Sequence, residues 1–81
     1  MAEAREADQI AQDYSAMGDS VSLIDDVIAG DAMAGEEDAD KKACVSRNVE
    51  HLELMVAKDD WGSESMSASS SAITAGKAYV G

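Results

Sequence analysis

Proline and phenylalanine are absent from this 81-residue chain, and cysteine, histidine and tryptophan occur once each. A single cysteine cannot form a disulfide within the chain. A chain of this length forms one small domain with a thin core. No stretch of about 18 consecutive apolar residues exists, which excludes a membrane-spanning helix. These absences predict one domain over residues 1–81, with little covalent or aromatic stabilisation.

Basic residues are also scarce, and the shortage is confined to the first half of the chain. Residues 1–40 contain twelve acids and one base, Arg5, whereas residues 41–81 contain five acids and five bases. Nucleic acids and anionic membrane surfaces are bound through Lys and Arg, so a net charge of −11 argues against both. We therefore expect a protein partner whose binding surface is basic or uncharged.

A regular hydrophobic stripe predicts a helix in the first part of the chain. Its members recur at intervals of three and four residues: Ala7, Ile10, Tyr14, Met17, Val21, Ile24 and Ile28. Gly18 interrupts the stretch, so the pattern fits either one kinked helix or two helices. Gly30 follows the stripe and is expected to end the helix.

The second half of the chain predicts two more helices. A stripe of valines and leucine predicts a helix over about 37–59: Val45, Val49, Leu52 and Val56. The acids at its start suit the positive end of the helix dipole and lack the spacing of a calcium-binding loop. A weaker seven-residue spacing of Met66, Ile73 and Val80 predicts a helix over about 64–77, packed through small residues and fraying at Gly76.

The predicted fold is all-α. Three to four helices form a small helical hairpin or bundle, in which the first helix is either part of the bundle or extended from it. Residues 1–35 are interpreted as an acidic helical arm, and residues 36–81 as a helical hairpin. The stripe of the first helix then packs within the chain, against another chain, or against both.

Catalysis and metal binding have little support. Cys44 and His51 lie seven residues apart, about 10.5 Å along a helix, which is too far to share a zinc ion. Both are predicted to be ordinary surface residues. With a single His and no glycine-rich or elbow motif around any Ser, a nucleophile–base pair is not indicated. We predict no enzyme activity, no metal and no cofactor.

Protein–protein contact remains as the expected role of the hydrophobic stripe. Trp61 lies at the corner between the second and third predicted helices, where it either plugs the end of the hairpin core or anchors an interface. The predicted interface residues are Ile10, Tyr14, Met17, Val21, Ile24, Ile28 and Trp61. Their partner is a protein, either in a larger assembly or as a second copy of this chain.

Two segments between residues 45 and 81 carry a resemblance. Residues 47–61, RNVEHLELMVAKDDW, and residues 72–79, AITAGKAY, resemble small acidic proteins of marine tailed bacteriophages, particularly phages of cyanobacteria. The resemblance covers less than half of the chain and brings no activity with it. It implies a small virion or accessory protein, located in the phage virion or in the cytoplasm of the infected bacterium.

Two functions follow. The first is a non-catalytic structural protein associated with the virion, such as a capsid or portal accessory component. The alternative is an acidic inhibitor that mimics DNA and binds a basic host protein acting on nucleic acid, because twelve acids lie within residues 1–40.

Overall fold

The computed structural model describes residues 7–58 and 61–81, which form three α-helices. Helix α1 spans Ala7–Ala29, α2 spans Asp38–Val56 and α3 spans Ser63–Val80. Each helix packs against the other two, and the described residues contain no strand. The predicted all-α fold is confirmed, and it takes the form of a three-helix bundle.

Helix α1 is continuous through Gly18, so the alternative of two helices is wrong. A Cβ on Gly18 would have no neighbour within 4 Å, and the residue is exposed. Gly30 ends the helix as predicted: its φ is 86°, and its N–H donates to the Val27 carbonyl at 3.2 Å. The Asp31 N–H donates to the Asp26 carbonyl at 2.8 Å, which completes a Schellman motif.

The connection from α1 to α2 is held by left-handed backbone. Gly35 has a φ of 90°, and Met33 has a φ of 57°, which costs a residue with a side chain about 1–2 kcal/mol. Met33 is half-buried and packs against the core, and this packing offsets the cost. Helix α2 then begins with Asp38 and Asp40 in its first turn, where the helix dipole favours negative charge, as predicted.

The C-terminal end of α2 comes earlier than predicted. The predicted end at Asp59 lies outside the described residues, and the helix ends at Val56. The Met55 carbonyl accepts the Lys58 N–H at 3.1 Å and the Trp61 indole N–H at 2.7 Å. The Met55 carbonyl, in the last turn of α2, therefore has hydrogen-bond donors although the helix does not continue.

Helix α3 is longer than predicted, because it continues past Gly76 to Val80. Gly76 is buried against α2, where an added Cβ would collide with the Val49 side chain and lie 3.2 Å from Val45 Cγ1. The prediction of fraying at Gly76 is therefore wrong. The glycine instead allows α3 to approach α2 closely, and this contact holds the last turns of the helix.

Among the residues that the structure describes, seven apolar side chains form the buried core. They are Met17, Ile24, Val27, Val45, Val49, Leu52 and Ala72. The predicted face of α2 is confirmed at Val45, Val49 and Leu52, whereas Val56 is only half-buried. Among the described residues, no helix has the length and hydrophobicity needed to cross a membrane.

The spacing predicted for α3 does not give its most buried face. Its buried residues are Ser69, Ala72 and Gly76, while Met66, Ile73 and Val80 are half-buried. Small residues lie at the contact because α3 comes close to its neighbours. The predicted packing of this helix through small residues is confirmed.

The buried face of α1 also differs from the predicted stripe. Its residues follow the same alternation of four and three, but in a shifted register: Asp13, Met17, Ser20, Ile24 and Val27. Met17 and Ile24 belong to both patterns, whereas Tyr14 is 61% exposed. The shift arises because Asp13 and Ser20, which are polar, are buried and take part in hydrogen bonds with other side chains.

Candidate functional site

An open groove separates parts of α1 and α3, and we call it the α1–α3 groove. It is lined by α1 between Ala7 and Ser22 and by the chain between Trp61 and Ser69. It consists of two adjoining cavities, of about 360 and 770 Å³, which share Tyr14 of α1 and Glu64 and Ser65 of α3. The groove therefore runs along about four turns of α1 and the first two turns of α3.

The groove exists because, apart from Glu64, its α3 wall is made of small side chains. Ser65, Ala68 and Ser69 face the larger side chains of α1 in this region, and Gly18 leaves a further gap in the α1 wall. Helix α1 accordingly packs less extensively on α3 than on α2. The Ser69 residue is fully buried, and its hydroxyl has no hydrogen-bond partner.

The predicted interface residues separate into two groups. Five of the seven line the α1–α3 groove: Ile10, Tyr14, Met17, Val21 and Trp61. The structure thus brings Trp61 next to the α1 stripe across a large sequence separation. Ile24 instead lies fully buried in the core, and Ile28 is 39% exposed near the C-terminal end of α1.

Two aromatic side chains that line the groove lie close to each other. The Tyr14 and Trp61 ring centroids lie 6.5 Å apart with an interplanar angle of 41°. Trp61 is half-buried, packs against the core and donates its indole N–H to the Met55 carbonyl at 2.7 Å. Trp61 therefore closes the end of the hairpin core and also presents part of its surface to the groove.

The prediction that His51 is an ordinary surface residue is wrong. His51 is half-buried, and its Nδ1 lies 2.7 Å from Ser20 Oγ, in a hydrogen bond whose donor depends on the imidazole tautomer. Ser20 is only 5% exposed, and neither residue lines the α1–α3 groove. The pair links α1 to α2. The sequence signal for this pair is a heptad register of α1 in which Ser20 occupies a buried position.

Cys44 is half-buried rather than a surface residue. The Asn48 amide donates to the Cys44 carbonyl at 2.8 Å and lies 3.7 Å from its Sγ. Cys44 and His51 lie on the same helix, but Cys44 contacts Asn48 and His51 contacts Ser20 of α1. Within residues 7–58 and 61–81, no group of three or more His, Cys, Asp and Glu side chains could hold a metal ion.

Charges around the α1–α3 groove are of one sign. Helix α1 and residues 63–71 together contain six acids and no base: Asp8, Asp13, Asp19, Asp25, Asp26 and Glu64. Asp13 is buried and accepts the Gln9 amide at 3.0 Å, whereas the other five are exposed. Of the six, Glu64 lines the groove and the others lie on α1 outside its lining, so the groove has apolar and small walls with one carboxylate.

Comparisons with family models, with curated proteins and with solved structures identify no match to this chain. No catalytic or binding residue can therefore be transferred from another protein. The interpretation of the α1–α3 groove rests on its own geometry, composition and charge.

Proposed function

We propose that this chain is a non-catalytic interaction protein that binds another protein through the α1–α3 groove. The observation that supports this most is the exposure of Ile10, by 38%, and Tyr14, by 61%, on a groove that Trp61 also lines. Apolar groups clustered in one concave surface are typical of sites that bind other molecules. A small core gains stability when such a surface is covered by a partner.

We further propose that the partner belongs to a phage particle, in which the chain is a capsid or portal accessory component. The resemblance of residues 47–61 and 72–79 to small phage proteins supports this assignment. The net charge of −11 disfavours a position against the packaged DNA, because DNA is itself an anion. The chain contacts other proteins of the particle and not the DNA.

Mass spectrometry of purified particles tests the virion assignment. Particles are banded by density from infected cells, treated with nuclease and washed in high salt, and their peptides are quantified against a major capsid protein. We expect peptides of this chain at a constant ratio to the capsid protein across the particle band. Their absence from the band, with the chain present in the cell lysate, contradicts the virion assignment.

An acidic inhibitor that mimics DNA is the second candidate, and the exposed acids of α1 favour it. Asp8, Asp19, Asp25 and Asp26 are all exposed on a helix without a base. They span about 27 Å of helix axis, over which duplex DNA carries about 16 charges. The charge density of this face is about fourfold too low for a close imitation of DNA.

Neutralising the exposed acids tests the mimicry directly. Asp8, Asp19, Asp25 and Asp26 are changed together to Asn, and Asp13 is left intact because it is buried and hydrogen-bonded. Mimicry requires loss of competition with DNA for a basic host protein. Unchanged partner binding by this variant rules mimicry out, and we expect only a modest, salt-dependent weakening.

A further inference from the structure

We infer that the α1–α3 groove binds a cationic amphipathic helix of about four turns, which packs as a fourth helix on the bundle. The inference rests on the proposed function, in which this groove contacts a protein, and it specifies the chemistry of that partner. Three properties of the groove lead to it: its length, the character of its walls and the sign of its charges.

The length of the groove suits a helix. Its α1 wall runs from Ala7 to Ser22, which corresponds to about 22 Å at 1.5 Å per residue. A helix lying alongside would need about 15 residues to follow this wall. Helices bound in grooves of this kind place apolar anchors at intervals of three and four residues.

The walls of the groove suit the apolar face of such a helix. Ile10, Tyr14 and Val21 recur along α1 at the spacing that a neighbouring helix would contact. The opposite wall offers Ser65 and Ala68, whose small side chains leave room for the anchors of a partner. A three-helix bundle with an open seam between two helices becomes a four-helix bundle when this seam is filled.

The charges select a cationic partner over a second copy of this chain. Glu64 is the one charged residue that lines the groove, and the α1 helix that forms the other wall has four exposed acids and no base. A second copy would bring the same acids against them, and each copy has a net charge of −11. Lysines or arginines on the flanks of an apolar stripe would instead complement Glu64 and the acids of α1, and would raise the rate of association.

Trp61 provides the signal for a test, because it is the only tryptophan of the chain and lines the groove. The probe is an 18-residue peptide without aromatic residues, with leucine at the a and d positions of a heptad and lysine elsewhere. One control peptide has the same composition with its leucines scattered around the helix. A second control keeps the leucine pattern and replaces every lysine with glutamate.

Two variants with the same change in charge localise the binding. Tyr14→Lys places a cation on the groove, and Leu54→Lys places one on α2 at a side chain that is 69% exposed and does not line the groove. We expect the patterned cationic peptide to shift the Trp61 emission saturably. The affinity should fall at least tenfold for either control peptide and for Tyr14→Lys, and should change less than twofold for Leu54→Lys.

Each alternative result overturns the inference in a distinct way. Equal binding of the scattered peptide indicates non-specific attraction, and equal binding of the glutamate peptide removes the requirement for a cation. A self-associated chain in sedimentation, made monomeric by Tyr14→Lys and not by Leu54→Lys, identifies a second copy as the occupant. Equal effects of the two variants, or no binding by the patterned peptide, remove the groove as the binding site.

Circular dichroism must show that the Tyr14→Lys chain is folded. If it is not, Ile10→Lys at a side chain that is 38% exposed replaces it, with the same expected loss of affinity. The outcome is separable from that of the virion assignment. A failed titration with the chain present in purified particles contradicts only the inferred helix, whereas absence from particles with a successful titration contradicts only the assignment to the virion.

Discussion

Helix α1 makes two different contacts with the rest of the molecule. In the core it buries Ile24 completely, in one cluster with the fully buried Leu52 and Val45 of α2. Gly76 of α3 also lies close to Ile24. Against α3 it leaves the α1–α3 groove, with Tyr14 mostly exposed. Apolar residues at three- and four-residue intervals along α1 thus have two roles. Some are buried and stabilise the core, and others remain exposed in the groove.

The composition of the facing helices explains this difference. Valines and leucine on α2 fill the space in front of α1, whereas α3 presents serines and alanines in the region of the groove. Gly76 adds a close contact between α2 and α3, which further concentrates the packing on that side of the bundle. A chain of 81 residues can therefore keep a folded core while part of its apolar surface stays uncovered.

The largest predicted effect contrasts two isoleucines of α1. Ile24→Ala should lower the free energy of unfolding by about 2–5 kcal/mol, because Ile24 is fully buried and its loss leaves a cavity. Ile10→Ala, at a side chain that is 38% exposed on the groove, should cost less than about 1 kcal/mol. Urea unfolding followed by circular dichroism measures both, and equal losses would show that the two contacts contribute alike.

Two glycines give the next contrast. Gly76→Ala should destabilise the chain by about 1–2 kcal/mol, since the added methyl collides with Val49 and the cost of overpacking exceeds the gain in helix propensity. Gly18→Ala should stabilise it by about 0.5–1 kcal/mol, since a Cβ there meets no neighbour in the middle of a helix.

Thermal unfolding of the two glycine variants separates these effects by sign. A higher melting temperature for Gly18→Ala and a lower one for Gly76→Ala are expected. If Gly76→Ala were as stable as the unchanged chain, the close approach of α3 to α2 would be wrong.

The smallest predicted effect concerns the hydrogen bond between Ser20 and His51. Ser20→Ala removes the partner of a half-buried imidazole and should cost about 1 kcal/mol. Ser15→Ala, on an exposed position of the same helix, should stay within about 0.5 kcal/mol of the unchanged chain. Chemical denaturation at one fixed pH compares them. Indistinguishable stabilities would mean that the bond contributes nothing to the α1–α2 contact.

The sequence was sufficient for those elements whose signals are local. The fold class, the buried face of α2 and the end of α1 at Gly30 follow from hydrophobic spacing and from the backbone freedom of glycine. Each depends on residues within a few turns of one another. The apolar stripe of α1 was also recognised, and five of the seven predicted interface residues line the α1–α3 groove.

The remaining features depend on contacts between distant segments. Ser20 occupies a buried position of α1 and bonds to His51 of α2, a partner that the spacing within α1 does not indicate, so the buried register differs from one based on apolar residues alone. Gly76 was expected to fray the helix, because its neighbour Val49 lies on another helix. The groove itself forms because α3 has no large apolar side chains opposite this part of α1. The spacing of residues within α1 contains no information about that.

Incorporation of groove variants into particles tests most directly whether the open side of α1 is the side that binds. Under the proposed assignment to a phage particle, Tyr14→Lys and Leu54→Lys are introduced separately into the phage that would encode the chain, and their copies per particle are quantified by mass spectrometry relative to the capsid protein. We predict at least a tenfold loss of Tyr14→Lys from particles and unchanged incorporation of Leu54→Lys. Equal incorporation of both, with both chains folded, would contradict a partner seated in the α1–α3 groove.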